Sequence, residues 1–262
     1  MNILLWSLAG GLMASLFMAL LWGVQRRIGN AGVVDVGWAF GIAALAVAYT
    51  LLGPAPAFIR IPAGLMGALW GFRLAWHIHR RGHGKPEDGR YAQLRQTWGA
   101  AFQRKLFFFY QAQALTVALF ALPYLLVAVH REAAWSGFHI AGLLIWTVGW
   151  FGESLADAQL ESFKRDPARP GTVCQSGLWR YSRHPNYFFE WLTWVGLAIY
   201  ALPSPYGWVA LIAPAAILHL LLNITGIPAT EEQALRSKGD AYRRYQATTN
   251  AFFPGPPRKD LK

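Results

Sequence analysis

Residues 176–190 read SGLWRYSRHPNYFFE and run directly into the apolar stretch from Trp191 to Ala201. Pro185 fixes its own φ, removes an amide donor and disfavours helix at His184. A new helix therefore starts here, with Asn186 and Tyr187 in its first turn. Arg180, Arg183 and His184 form a cationic cluster, and Trp179, Tyr181, Asn186 and Tyr187 supply flat or hydrogen-bonding surface beside it. That chemistry suits an anionic, aromatic ligand, because helix N-termini attract phosphate. The plainer use of the same residues is a juxtamembrane segment lying on lipid headgroups.

Working outward, the composition places this helix in a bilayer. The chain has 262 residues, 55% hydrophobic and only 14% charged, the profile of a polytopic membrane protein. A single cysteine, Cys174, excludes an internal disulfide. No C-x-x-C or H-E-x-x-H pattern supports a metal, and no glycine-rich dinucleotide or Walker motif is present. Seven apolar segments are long enough, or nearly so, for the roughly 20 residues a span needs: 3–24, 31–52, 57–79, 106–129, 135–158, 187–203 and 206–226. The expected fold is all-α, a seven-transmembrane-helix bundle over 1–262 whose cytoplasmic loops form a cofactor site. Pro203 and Pro205 separate the last two segments; the sixth is short and either begins inside the basic segment or pairs with the seventh as a tight helical hairpin, and six spans is the competing count.

Charge sets an orientation. With the N-terminus outside, 21 of the 24 Lys and Arg residues fall in cytoplasmic segments, only Arg60 and Arg131 lie in outer loops, and Arg73 lies within a span. The multi-pass chain then sits in a bacterial inner membrane with its C-terminus in the cytoplasm. The basic residues are spread over four separate segments, which argues against nucleic acid and for an anionic cytoplasmic ligand. Membrane lipid is the expected surrounding partner, and a monomer is the expected state.

Ionisable groups inside spans are costly and mark candidate sites. Asp35 opens the second segment in VVDVGWAFG. Arg73 and His77 lie one turn apart in the third, and Glu153, Asp157, Glu161 and Lys164 share one face of the fifth. Structural alternatives are a helix cap for Asp35 and a bundle-holding pair for Arg73. The turn HGKPEDGRY, residues 83–91, offers Lys85 and Arg90 for phosphate and Glu87 and Asp88 for hydroxyls. In the tail, Glu231, Glu232, Tyr242 and Tyr245 recur on a short helix broken at Gly239. Hydroxyl acceptors beside phosphate donors are what a nucleotide cofactor needs.

The runs GLWRYSRHPNYFFEWLTWVG and EEQALRSKGDAYRRYQATTNAFFP, together with VDVGWAFG and EDGRY, resemble the membrane steroid 5-alpha-reductase superfamily, and most closely its bacterial DUF1295 branch. The likeness covers most of Val33 to Pro254 and is densest in 160–262. It implies a seven-helix reductase domain that opens to the bilayer for a lipid or steroid-like substrate and binds NADPH from the cytosol. Carried over by position, it implies cofactor roles for Arg73, His77, Arg90, Glu153, Asp157, Lys164, Arg169, Arg180, Tyr181, Arg183, His184, Asn186, Tyr187, Glu190, Tyr242 and Tyr245. Steroid reductases carry a Gln-Glu pair in helix two and a Tyr in helix three. This chain has Asp35 and Trp38 in the former and Trp70 near the latter, so ene reduction carries over further than steroid specificity.

On this resemblance the activity is reduction of a carbon–carbon double bond in an enone, with Asp35 and Trp38 on the substrate side. Apolar surroundings raise a carboxyl pKa, which would make Asp35 a neutral proton donor. Glu190 is the competing donor. The rival expectation is an S-adenosylmethionine-dependent methyltransferase of the isoprenylcysteine or phospholipid type, which shares an RHP-x-Y run but needs no phosphate-binding cations.

Overall fold

The computed structural model describes residues 3–166 and 172–258, and among them no strand occurs. The helices are α1 (Ile3–Ile28), α2 (Val33–Leu52), α3 (Ala57–Gly82), α4 (Gly89–Trp98), α5 (Phe102–Val129), α6 (Gly137–Arg165), α7 (Pro185–Ala201), α8 (Ile212–His219), α9 (Ile227–Lys238) and α10 (Asp240–Thr248). Four helical runs are long and apolar enough to cross a membrane: Ile3–Ile28, Val33–Leu52, Gly89–Val129 and Gly207–Lys238. The protein is a multi-pass membrane protein. The expected count of seven is not reached by length and apolarity. Arg60, Arg73, Arg80 and Arg81 interrupt α3, Glu153, Asp157, Glu161, Lys164 and Arg165 interrupt α6, and α7 has only 17 residues.

Where a single domain is expected, the chain divides into two compact units, Met1–Ser136 with Ala201–Val209, and Gly137–Tyr200 with Ala210–Lys262. In the first, α2 packs on α3 and α5, and α1 on α5 and α2. Large side chains fill this core, Trp70, Tyr110, Phe120 and Met66 among them, while Leu4, Leu8, Leu12, Leu16 and Leu20 of α1 stay exposed. Such a leucine stripe is at home against lipid tails. Polar bonds pin the helices together: Ser15 Oγ donates to Gln111 at 2.6 Å, Gln25 Nε2 to Gln103 at 2.7 Å, and Trp38 Nε1 to Thr116 at 2.8 Å. Inside a bilayer each is worth about 0.6 kcal/mol.

The second unit is built on α6 against α7. Gly142 and Gly149 face residues 193–200, and a Cβ on Gly196 would come within 2.3 Å of the Trp146 backbone nitrogen. The two backbones touch because no side chain intervenes. A 3-10 turn over Gly177–Arg180 is fastened back on α6, with Trp179 Nε1 donating to Ala156 O at 2.9 Å and Leu178 N to Gln159 Oε1 at 2.9 Å. Gly177 takes φ +59 there, beside the Gln159 side chain, where a Cβ would be both strained and obstructed. After α8 and a π turn over Leu220–Ile224, α9 and α10 pack on each other.

Candidate functional site

The motif that opened the sequence reading forms the centre of the second unit. Pro185 is the first residue of α7, as its missing donor requires. Behind it lies the carboxylate of Glu231 on α9, which accepts from Arg183 Nε at 2.7 Å and Gln246 Nε2 at 2.7 Å, with His184 Nε2 at 3.2 Å and the Tyr242 hydroxyl at 3.4 Å. Arg183 also donates from Nη1 to the carbonyls of Gln246 at 3.2 Å and Thr249 at 2.5 Å. Its side chain is 11% exposed and that of Glu231 14%. Arg183 was expected to face a phosphate. The structure instead engages its guanidinium with three protein oxygens, because a buried charge needs a partner and a filled donor set.

His184 is buried and stacks on Tyr187, ring centroids 5.3 Å apart and 5° from parallel, and the Tyr187 hydroxyl meets Thr230 Oγ1 at 3.0 Å. Burial, then the Glu231 carboxylate, push the Tyr242 phenol above its ordinary value and keep it a donor. Tyr245, raised by burial in the same way, donates to the carbonyls of Trp179 and Ser182. These tyrosines, expected on a cofactor, bind the 179–184 loop to the tail.

Next to this block, Asn186 Nδ2 donates to Asp157 Oδ1 at 3.2 Å, joining the motif to the acidic face of α6. Glu153 is buried on that face, Lys164 is exposed at its end, and Glu190 accepts from Trp194 Nε1 at 3.0 Å. Arg180 and Tyr181 are exposed. Arg169 lies outside the described residues. An open cleft of about 550 Å³ lies along Ala158, Gln159, Ser162, Phe163, Asp166, Ser176 and Gly177, and no expected site residue lines it.

The first unit carries a separate cluster. Asp35 accepts from Arg90 Nη2 at 2.9 Å and from the Tyr91 hydroxyl at 2.8 Å. Glu87 accepts from the Ala31 amide at 2.7 Å and from Arg95 at 3.0 Å, and Asp88 caps α4 by accepting from the Arg90 amide at 3.0 Å. The EDGRY turn therefore closes over the start of α2. Asp35, expected as a neutral donor in apolar surroundings, is held as an acceptor by a cation and a phenol. Trp38 is committed to Thr116 and packs edge-on against Trp70 at 6.0 Å and Phe120 at 5.5 Å. Arg73 and His77 lie one turn apart on α3, both partly buried. Among the described residues no group of three or more His, Cys, Asp or Glu side chains is placed to hold a metal.

Residues 21–249 match the family described as "Protein of unknown function (DUF1295)". The chain belongs to this family. It is similar to an uncharacterized protein of Schizosaccharomyces pombe, 27% identical over 275 residues that cover 93% of this chain and 78% of the relative. A second uncharacterized fission-yeast protein is 33% identical over 84 residues, 26% of this chain and 30% of its own. Both relatives are fungal, so the expected bacterial placement draws no support from them. No solved structure matches the chain.

Sequence reasoning named Glu231 among the polar residues of the tail without giving it a role of its own, and passed over Gln246 and Tyr91. Glu231 stands beside Glu232 in a polar helix, and spacing does not say which is buried; Glu232 pairs in solvent with Arg236. Tyr91 follows a turn whose carboxylates drew the attention instead.

Proposed function

We propose that this protein is a membrane reductase of the steroid 5-alpha-reductase superfamily, which uses NADPH to reduce the carbon–carbon double bond of an enone lipid. The observation that carries the reading is the contact of Asn186 with Asp157, which seats a helix start beside a carboxylate. The same unit carries the exposed cations Lys164, Arg180, Arg243 and Arg244. That donor set fits a phosphorylated dinucleotide: carboxylate for ribose hydroxyls, arginines for phosphates, flat aromatic surface at Tyr181. When bound, the cofactor supplies hydride to the β-carbon of the enone. The chain's own part is to orient the substrate, exclude water, and provide donors to the carbonyl oxygen as negative charge grows there. A proton then enters at the α-carbon, leaving a saturated ketone and oxidised cofactor. Asp35 and Trp38 belong to the substrate side of this reading, with Glu190 as the competing proton donor.

The orientation proposed with it has the N-terminus outside and the C-terminus in the cytoplasm. Basic residues close the last turns of α1 (Arg26, Arg27), α3 (His79, Arg80, Arg81) and α6 (Lys164, Arg165), which favours it. A second reading, an S-adenosylmethionine-dependent methyltransferase, is favoured by one observation: Arg183 and His184 already face Glu231, which subtracts the Arg183 cation and the His184 ring from any phosphate site. Thermal unfolding of the purified protein with NADPH, NADH or S-adenosylmethionine separates the two, since a ligand stabilises the state it binds. Stabilisation by NADPH is expected, and stabilisation by S-adenosylmethionine alone overturns the reductase reading.

A further inference from the structure

The middle of α6 carries Trp146 and Trp150, one turn apart. Both indole Nε1–H groups are closed off from solvent and have no hydrogen-bond acceptor. Their ring centroids lie 6.2 Å apart and the planes are within 17° of parallel, so the two donors occupy one stripe of the helix. Trp146 as a whole is 5% exposed. An indole nitrogen is a donor only, with no lone pair to turn inward. Buried donors normally find an acceptor, because a bare one keeps the full cost of leaving water. Two neighbouring exceptions on one stripe call for a shared cause.

Depth removes the ordinary explanation. Tryptophans of membrane helices gather at the two interfaces, where the N–H reaches water or a headgroup. At 1.5 Å per residue, Trp146 and Trp150 lie about 13 and 20 Å along the axis from the start of α6 at Gly137. α6 is not among the four runs apolar enough to span by themselves, and the proposed orientation has it cross; on that crossing both indoles lie near the middle of a hydrocarbon core about 30 Å thick. Phospholipid ester carbonyls stay at the interface and water is excluded. The acceptor must therefore arrive on a molecule whose oxygen is carried by an apolar body. The same stripe continues through Glu153 to Asp157, about 10 Å beyond Trp150, where Asn186 of the α7 motif is bound.

We infer that Trp146 and Trp150 form a two-donor cradle for the carbonyl oxygen of the lipid substrate, an inference that rests on the enone reading above. Two N–H groups on one oxygen position the ketone and stabilise the charge that develops on it as hydride adds to the β-carbon. They fill the role of carbonyl donor that Asp35, as an acceptor of Arg90 and Tyr91, is not placed to fill.

The test uses full-length protein in lipid nanodiscs with ¹⁵N-labelled indoles, Trp146→Phe and Trp150→Phe each assigning one resonance. The probes are cholest-4-en-3-one, a fatty-chain enone and an isoprenoid enone, with cholest-4-ene as the oxygen-free control. Both indole protons are expected to move downfield with at least one ketone and not with cholest-4-ene. The double Phe variant is expected to weaken that ketone about tenfold or more while leaving ligand-free unfolding nearly unchanged. Resonances that stay put with all three ketones, or that move equally with cholest-4-ene, overturn the inference. NADPH oxidation in the same samples keeps the two readings apart. Turnover with unmoved indoles rejects the cradle and keeps the reductase, whereas moved indoles without oxidation keep the cradle and reject the reductase.

Discussion

Replacing Glu231 by Ala should unfold the second unit more readily than any surface change. The carboxylate is 14% exposed, its partner Arg183 11%, and the ion pair spans 2.7 Å. Removing one partner of a buried pair leaves the other charge uncompensated, at a cost of about 3 to 5 kcal/mol. The carbonyls of Gln246 and Thr249 still accept from Arg183, which argues for the lower end. At about 2 to 4 °C per kcal/mol, thermal unfolding in detergent should fall by about 6 to 20 °C. Arg183→Met alone should cost a similar amount, since it strands Glu231 with only Gln246, His184 and Tyr242. The double variant Arg183→Met, Glu231→Leu is the decisive member, because removing both charges also removes the penalty of stranding either. It should be clearly less destabilised than the sum of the singles. Strict additivity would refute the clamp and return Arg183 to the solvent-facing role that its motif suggests.

Glu232→Ala, by contrast, should shift unfolding by under about 0.5 kcal/mol, because its pair with Arg236 is exposed. Asp88→Ala should cost about 1 kcal/mol of α4 stability, read by amide exchange at Arg90. Burial raises the Asp88 carboxyl, but the Arg90 side chain and amide, and then the Arg81 charge, outweigh it and hold it below its ordinary value. A depressed carboxyl stabilises above its unfolded pKa, so the wild-type advantage should be full above about pH 4 and fade as pH falls further; an advantage that grows on acidification would contradict the cap. Gly196→Val should prevent α6 and α7 from packing, since the added carbons meet the Trp146 backbone, and no folded protein should survive size-exclusion chromatography. A periplasm-active reporter fused after Arg258 should be silent, and activity there would reverse the proposed orientation.

Much of the fold was legible where one residue decides the backbone. Pro185 marks the start of α7, Val33–Leu52 and Ala57–Gly82 nearly coincide with the expected second and third segments, and the break near Gly239 separates α9 from α10. The span count was less legible, because α3 and α6 mix apolar length with charges whose neutralisation depends on tertiary partners. The segment 206–226 reads as one helix but divides into a 3-10 turn, α8 and a π turn, since hydropathy does not register a change in hydrogen-bond spacing. In the candidate site, residue type predicted proximity better than direction. Arg183 lies at the motif as expected, yet what faces it is Glu231, a residue 48 positions later, and no local pattern reveals such a pairing. Asp35 needed Arg90 and Tyr91 to be seen as an acceptor, again from a segment more than 50 positions away.

The loop before α7 is shaped from far downstream. Ser182 Oγ donates to Phe252 O across 70 positions, Arg183 N bonds to Asn250 O, and Gly255 N bonds to Tyr181 O. During synthesis at about 5 to 20 residues per second, these partners emerge some 4 to 14 seconds after the loop itself. Until Glu231 emerges, 48 positions after Arg183, the Arg183 guanidinium has neither that carboxylate nor the Gln246 and Thr249 carbonyls that later enclose it, and it stands as a bare cation just before α7. A nascent chain stalled before Glu231 should therefore be the form that membrane quality-control proteases cut, within the 179–184 segment that the finished protein ties to its tail.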